Sequence, residues 1–162
     1  MATETNDQPS VKVYIEIEKH SNMKYELNKE VNKLELDRIL PYPYFYPYAY
    51  GFCINTLGKD GDELDALVIT NNNYKNDIVL DCHIVGGLNM EDESGIDEKL
   101  FVVPVQEMEW FAGLSNEKIT EMYDNIWWFF SNYKTKEPHK WSKVYDFMDM
   151  KQAISLYLPR CL

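Results

Sequence analysis

The chain changes its hydrophobic period once, and that switch limits the fold more than any other feature. From Val11 the pattern alternates. Val11, Val13, Ile15 and Ile17 point one way and Lys12, Tyr14, Glu16 and Glu18 the other, as in a half-buried strand. Residues 24–27 and 34–38 read as two further strands joined by a turn over 29–32, a hairpin in which Lys24 and Glu26 share a face. Arg38 shares the parity of Leu34 and Leu36 and is expected to point inward. The segment 41–50 carries three prolines and five tyrosines, and prolines so spaced forbid a helix. Strands are expected over 50–57, 64–70, 78–88 (ending at Gly86 and Gly87) and 100–105. The period then becomes helical. Ile119, Met122, Tyr123, Ile126, Trp127, Phe130 and Tyr133 fall at steps of three and four, predicting a helix capped by Ser115 and running to Lys134. A second helix is expected from Asp146 to Leu158, stopped by Pro159. Strands first, helices last and no βαβ rhythm give an α+β fold: a small closed or strongly curved sheet flanked by C-terminal helices.

The 162 residues suit one domain, 11–162, behind a polar leader over 1–10 that is expected to be disordered. The net charge of −11 argues against a general nucleic-acid binder and against docking on an anionic membrane. No apolar run is long enough for a bilayer span, and no signal peptide is visible. Cys53, Cys82 and Cys161 form neither a zinc pattern nor a disulfide frame, so a reduced, cytoplasmic setting is expected. Trp127, Trp128, Phe129 and Phe130 cannot all be buried by one helix face, which predicts a homo-oligomer.

The acids cluster. Asp60-Gly61-Asp62-Glu63-Leu64-Asp65 packs four carboxylates into six residues, and a second group lies over 91–98. Carboxylates this close repel one another unless a cation sits between them, and oxygen ligands without His or Cys favour Mg²⁺, Mn²⁺ or Ca²⁺. An EF-hand is excluded, since Asp65 and Asn71 stand where Gly and Glu are needed. No nucleophile elbow, phosphate loop or dinucleotide fingerprint is present.

Read together with Lys24-Tyr25-Glu26, Asp37-Arg38, Phe45-Tyr46-Pro47, Tyr50-Gly51-Phe52, Asp92, Asp97, Lys99 and Tyr133-Lys134, the signature Asp-Gly-Asp-x-x-Asp resembles the soluble, Mg²⁺-dependent family I inorganic pyrophosphatases. The resemblance runs from Val11 to Ala153 and implies a five-stranded OB-like barrel with flanking helices. It implies that Asp60, Asp65, Asp92 and Asp97 hold several Mg²⁺ ions, with Mn²⁺ or Zn²⁺ as substitutes, and that Asp62 orients and deprotonates the attacking water. It further implies that Lys24, Arg38, Tyr50, Tyr133 and Lys134 hold the phosphates of pyrophosphate, with Glu16, Glu26, Tyr46 and Lys99 supporting the pocket. The sequence departs from the family in places. Glu63 stands where proline is usual, Ala49 and Phe52 where Asn and Tyr are usual, and Trp128 and Asn132 where bacterial relatives carry histidines at subunit contacts.

The charge of this set explains why metal is needed. Asp60, Asp62, Asp65, Asp92, Asp97, Glu16 and Glu26 face Lys24, Arg38, Lys99 and Lys134, leaving three surplus negative charges that would repel a polyanion. Two divalent ions reverse the sign and acidify a bound water from 15.7 toward about 7. The rival readings are a silent relative serving as a binding module, and a hydrolase of nucleotides or polyphosphates. The first is weakened by the full set of side chains and the second by the lack of a base-binding element.

Overall fold

The computed structural model describes residues 9–162. The expected leader therefore lies largely outside the described residues, and Ser10 already belongs to the first strand. The strands are β1 (Ser10–Ile17), β2 (Met23–Asn28), β3 (Lys33–Ile39), β4 (Ala49–Cys53), β5 (Asp65–Val68), β6 (Val79–Asp92), β7 (Gly95–Ile96), β8 (Lys99–Pro104) and β9 (Ser142–Met148). The helices are α1 (Met108–Ala112), α2 (Asn116–Asn132) and α3 (Met150–Tyr157).

Five strands close into a ring in the order β1-β4-β5-β8-β6, with β6 pairing back onto β1. Every pairing is antiparallel except β5 with β8. This is the closed five-stranded barrel that the family resemblance implies and the small closed sheet that the strand pattern predicts, here with mixed strand directions, and full closure leaves no exposed edge in the ring. All five strands supply one apolar cluster, with Val11, Val13 and Ile15 meeting Ala49, Cys53, Ala66, Val68, Cys82, Ile84, Leu100 and Val102. Residues of opposite parity, such as Leu67, Phe101 and Val103, form a second cluster with Met122, Ile126, Phe129 and Phe130 of α2. Ser115 caps α2, its side chain accepting a hydrogen bond from the Lys118 amide. Of the four consecutive aromatics, Phe129 and Phe130 are buried while Trp127 and Trp128 stay exposed.

Two expectations are corrected. Strand β6 does not end at Gly86 and Gly87 but runs on to Asp92, pairing with β9 and β7. These glycines permit close approach rather than termination: a Cβ on Gly87 would stand 2.8 Å from the Lys99 carbonyl oxygen. The last helix begins at Met150, not Asp146, because Asp149 and Gln152 form a reciprocal capping box and Asp146 is already paired in β9. The hairpin β2–β3 is a separate two-stranded sheet beside the barrel.

Candidate active site

The hairpin, one end of the barrel and the segment that follows α2 enclose a cavity of about 270 Å³. Register places the groups that line it. Lys24 of β2 is the cross-strand partner of Arg38 of β3, and Asp65 of β5 is the parallel partner of Lys99 of β8. Glu16 comes from β1, Glu26 from β2, Tyr46 from the proline-rich segment and Tyr50 from β4. Asp92 closes β6 and Asp97 precedes β8, while Tyr133 and Lys134 come directly off the C-terminus of α2. Gly51 makes this corner possible, since a Cβ there would lie 1.7 Å from the Tyr14 carbonyl oxygen.

Ion pairs knit the floor. The Lys99 ammonium, almost fully buried, lies 3.1 Å from Asp65 Oδ2, 3.0 Å from Asp97 Oδ2 and 2.7 Å from the Tyr50 hydroxyl. Lys134 reaches Asp92 at 2.9 Å and Glu93 at 3.0 Å. Lys24 bridges Glu26 at 2.8 Å and Asp37 at 3.0 Å, and Arg38 donates to Glu137 at 2.7 Å. Yet acid remains in surplus. Burial, with the charges of Asp65 and Glu26, pushes the Glu16 carboxyl up to about 7 although the Leu27 amide donates to it. Burial and the Asp97 charge push Asp65 up to about 6 against the pull of Lys99. Asp97 goes the other way: burial opposes its charge, but Lys99 holds the carboxyl below the usual range. Lys99 itself is raised well above an ordinary lysine, its three partners outweighing burial.

Every side chain predicted from the sequence lines this cavity except Asp60. Asp60 instead faces an adjoining depression that shares Asp62, Asp92, Asp97 and Lys134 with the cavity. The reason corrects a further expectation. Asp60 and Asp62 do not lie two apart on an extended segment. They sit in a turn where Gly61 adopts φ +88° and Asp60 Oδ1 accepts a hydrogen bond from the Asp62 amide. Nor does Arg38 follow the parity of a buried Leu34–Leu36 face, since Leu36 is exposed and the hairpin register shifts at Lys24/Tyr25. Sequence reasoning missed Lys29 and Glu93. Glu93 had a local signal beside Asp92, whereas Lys29 meets Glu63 only through the fold.

The donor set fits a hard divalent cation, because the excess charge is carried by carboxylate oxygens with no His or Cys among them. Among the described residues no three such side chains are gathered tightly enough to enclose an ion as they stand. Instead the Lys99 ammonium lies between Asp65 and Asp97, and that of Lys134 between Asp92 and Glu93.

A closed small barrel whose end carries an acid-rich, lysine- and arginine-lined cavity defines the class: a small-barrel protein with a strongly charged pocket suited to charged ligands. Comparison with known proteins narrows it. The sequence matches the inorganic pyrophosphatase family over residues 13–159. It is 43% identical to the inorganic pyrophosphatase of Helicobacter pylori over 94% of this chain and 90% of that one, and 41% identical to that of Campylobacter jejuni over 90% and 87%. The fold is similar to the Helicobacter pylori enzyme structure with a TM-score of 0.84, 44% identity and coverage of 93% and 90%. It is similar to the Coxiella burnetii enzyme with a TM-score of 0.86, 36% identity and coverage of 93% and 92%. The chain belongs to the inorganic pyrophosphatase family, whose family I members are metal-dependent enzymes.

Proposed function

We propose that this cavity is where pyrophosphate is hydrolysed, with the residues above in distinct roles. As a member of its family the chain is a hydrolase, an inorganic diphosphatase that converts pyrophosphate to two orthophosphates. The observation that carries the site assignment is the convergence of surplus carboxylates and phosphate-binding cations from separate elements on one cavity. Asp60, Asp65, Asp92 and Asp97 hold the cations, and Mg²⁺ is the ion of choice, with Mn²⁺ or Zn²⁺ as substitutes. When bound, these ions neutralise the excess acid and acidify water. Asp62, exposed at the cavity mouth, takes the proton of the attacking water. The water oxygen bonds to one phosphorus, the bridging P–O bond breaks and the second orthophosphate leaves, with no covalent enzyme intermediate.

Lys24, Arg38, Tyr50, Tyr133 and Lys134 stabilise charge on the two phosphates. Arg38 Nε supports this role, for it is buried with no hydrogen-bond partner and a phosphate oxygen would satisfy it. Lys99 positions Asp65, Asp97 and Tyr50, while Glu16, Glu26 and Tyr46 complete the walls. Residues 11–162 act as one catalytic domain. The exposed Trp127 and Trp128 favour a homo-oligomer, and three free cysteines suit the cytoplasm. No helix among the described residues is long and apolar enough to cross a membrane.

Phosphate release from pyrophosphate, with ATP and tripolyphosphate as comparators and Mg²⁺ present or chelated, tests the reading. Hydrolysis is expected only with divalent cation and chiefly of pyrophosphate. Ca²⁺ should bind yet support turnover poorly, since its oxygens lie at about 2.3–2.6 Å against about 2.0–2.1 Å for Mg²⁺. Absence of activity across a Mg²⁺ titration would sink the enzyme assignment.

A further inference from the structure

The turn that carries Asp60 and Asp62 is held by hydrogen bonds within its own short segment, the Gly61 amide donating to the Gly58 carbonyl at 3.2 Å and the Asp62 amide to Asp60 Oδ1 at 3.0 Å. The Gly58 amide donates to the Asp62 carbonyl, and the Leu64 amide to Thr56 Oγ1 at 3.0 Å. At its tip Gly61 has open space around it. Glu63, between Asp62 and Leu64, brings a flexible, charged side chain and no covalent restriction of the backbone. Across the cavity the hairpin that bears Lys24 and Arg38 is a separate sheet. The Lys29 ammonium, at the hairpin turn, spans this gap to the Glu63 carboxylate and also lies 5.5 Å from the centre of the Phe52 ring on β4. Both side chains line the cavity itself.

We propose that Lys29 and Glu63 form a clasp that holds the acidic turn against the hairpin, making Glu63 a positioning residue for the divalent cations and Lys29 its anchor. The inference rests on the assignment of those cations to the carboxylates around Asp62. An ion pair at this depth adds little to global stability when half exposed, and Lys29 is about half exposed. Its effect is local. Without it the turn samples more conformations, and a cation must order them on binding. The clasp also neutralises the charge that Glu63 adds beside Asp62, so Lys29 is engaged by Glu63 rather than free for phosphate.

Isothermal titration of the full chain with Mg²⁺ alone, without pyrophosphate, tests the clasp. Lys29→Met and Glu63→Gln should each weaken Mg²⁺ binding about three- to tenfold, and the double variant no more than either single one. The charge exchange Lys29→Glu with Glu63→Lys should return binding to within about twofold of wild type. Glu63→Pro, which restricts the backbone covalently, should bind Mg²⁺ as wild type does, and adding Lys29→Met to it should change neither Mg²⁺ binding nor the KM for pyrophosphate. Independent, additive losses overturn the clasp, as does unchanged Mg²⁺ binding in both single variants. A raised KM on adding Lys29→Met to Glu63→Pro overturns it too, because Lys29 would then serve the substrate. Wild type that binds no Mg²⁺ at all strikes instead at the cation assignment beneath.

Discussion

Two carboxylates, Asp65 and Glu107, are held in the barrel by opposite means. Glu107 follows β8 and is buried with Thr70. The Thr70 hydroxyl donates to it at 2.6 Å, the Tyr74 hydroxyl at 2.7 Å and the Asn71 amide at 2.9 Å. Burial raises its pKa, but these neutral donors win and hold the carboxyl below the ordinary range. Asp65 has a full ammonium at 3.1 Å, yet its carboxyl is pushed up to about 6 by burial and by Asp97 sharing the same Lys99. Glu107 is a finished structural knot: its charge is wanted and satisfied. Asp65 belongs to a set with more negative charge than the protein itself supplies counter-charge for, an imbalance that the proposed cations would relieve.

The contrast can be broken most sharply by kinetics. Asp62→Asn should lower kcat by about 10²–10⁴-fold, with no recovery at high Mg²⁺, because it removes the proton acceptor. Asp65→Asn should raise the Mg²⁺ needed for half-maximal rate and regain part of its loss when Mg²⁺ is increased. Rescue of Asp62→Asn alongside a dead Asp65→Asn would exchange the two roles. Glu107→Gln should leave both kinetic constants near wild type.

Denaturant unfolding in EDTA sharpens the comparison at smaller scale. Glu107→Gln should cost about 1–2 kcal/mol, because an amide cannot accept every bond the carboxylate does. Asp65→Asn should be as stable as wild type or more so, since it relieves a charge that only a bound cation makes welcome. A large loss for Asp65→Asn without metal would show that Lys99 already balances the site.

The smallest expected effect lies in pH. Asp65 has a folded-state carboxyl near 6, above its unfolded value of about 3.9, so its favourable share of stability is present below about pH 4 and lost as pH climbs past 6. Glu107 is depressed, so its share is present above about pH 4.3 and lost on acidification. In EDTA, lowering the pH from 7 toward 4 should therefore shrink the advantage of Asp65→Asn, whereas the deficit of Glu107→Gln should hold down to about pH 4.3 and shrink only on further acidification. A change of about 1 kcal/mol is expected for Asp65→Asn between pH 7 and 4, read as a shift in denaturation midpoint. A Glu107→Gln deficit that stays flat or grows as the pH is taken well below about 4.3 would mean that the carboxylate charge is not what Thr70 and Tyr74 recognise.

The sequence by itself determined the barrel strands, the Ser115 cap and the cast of polar groups around the cavity. The strands and the cap follow from local rules, a period of two, a period of 3.6 and a capping hydroxyl, whereas the cast of polar groups came from the resemblance of the Asp60–Asp65 signature and its companions to a known family. The tertiary structure decided how those groups meet. Asp60 and Asp62 were expected on one extended face, but Gly61 turns the chain and sends Asp60 to the neighbouring depression. Strand β6 outruns its two glycines because β9 arrives from more than fifty residues away to pair with it. Lys29 finds Glu63, and Thr70 and Tyr74 find Glu107, across 34, 37 and 33 residues. No periodicity or spacing encodes such encounters. They exist only once the ring has closed, and closure depends on long-range pairing that a local window of sequence does not contain.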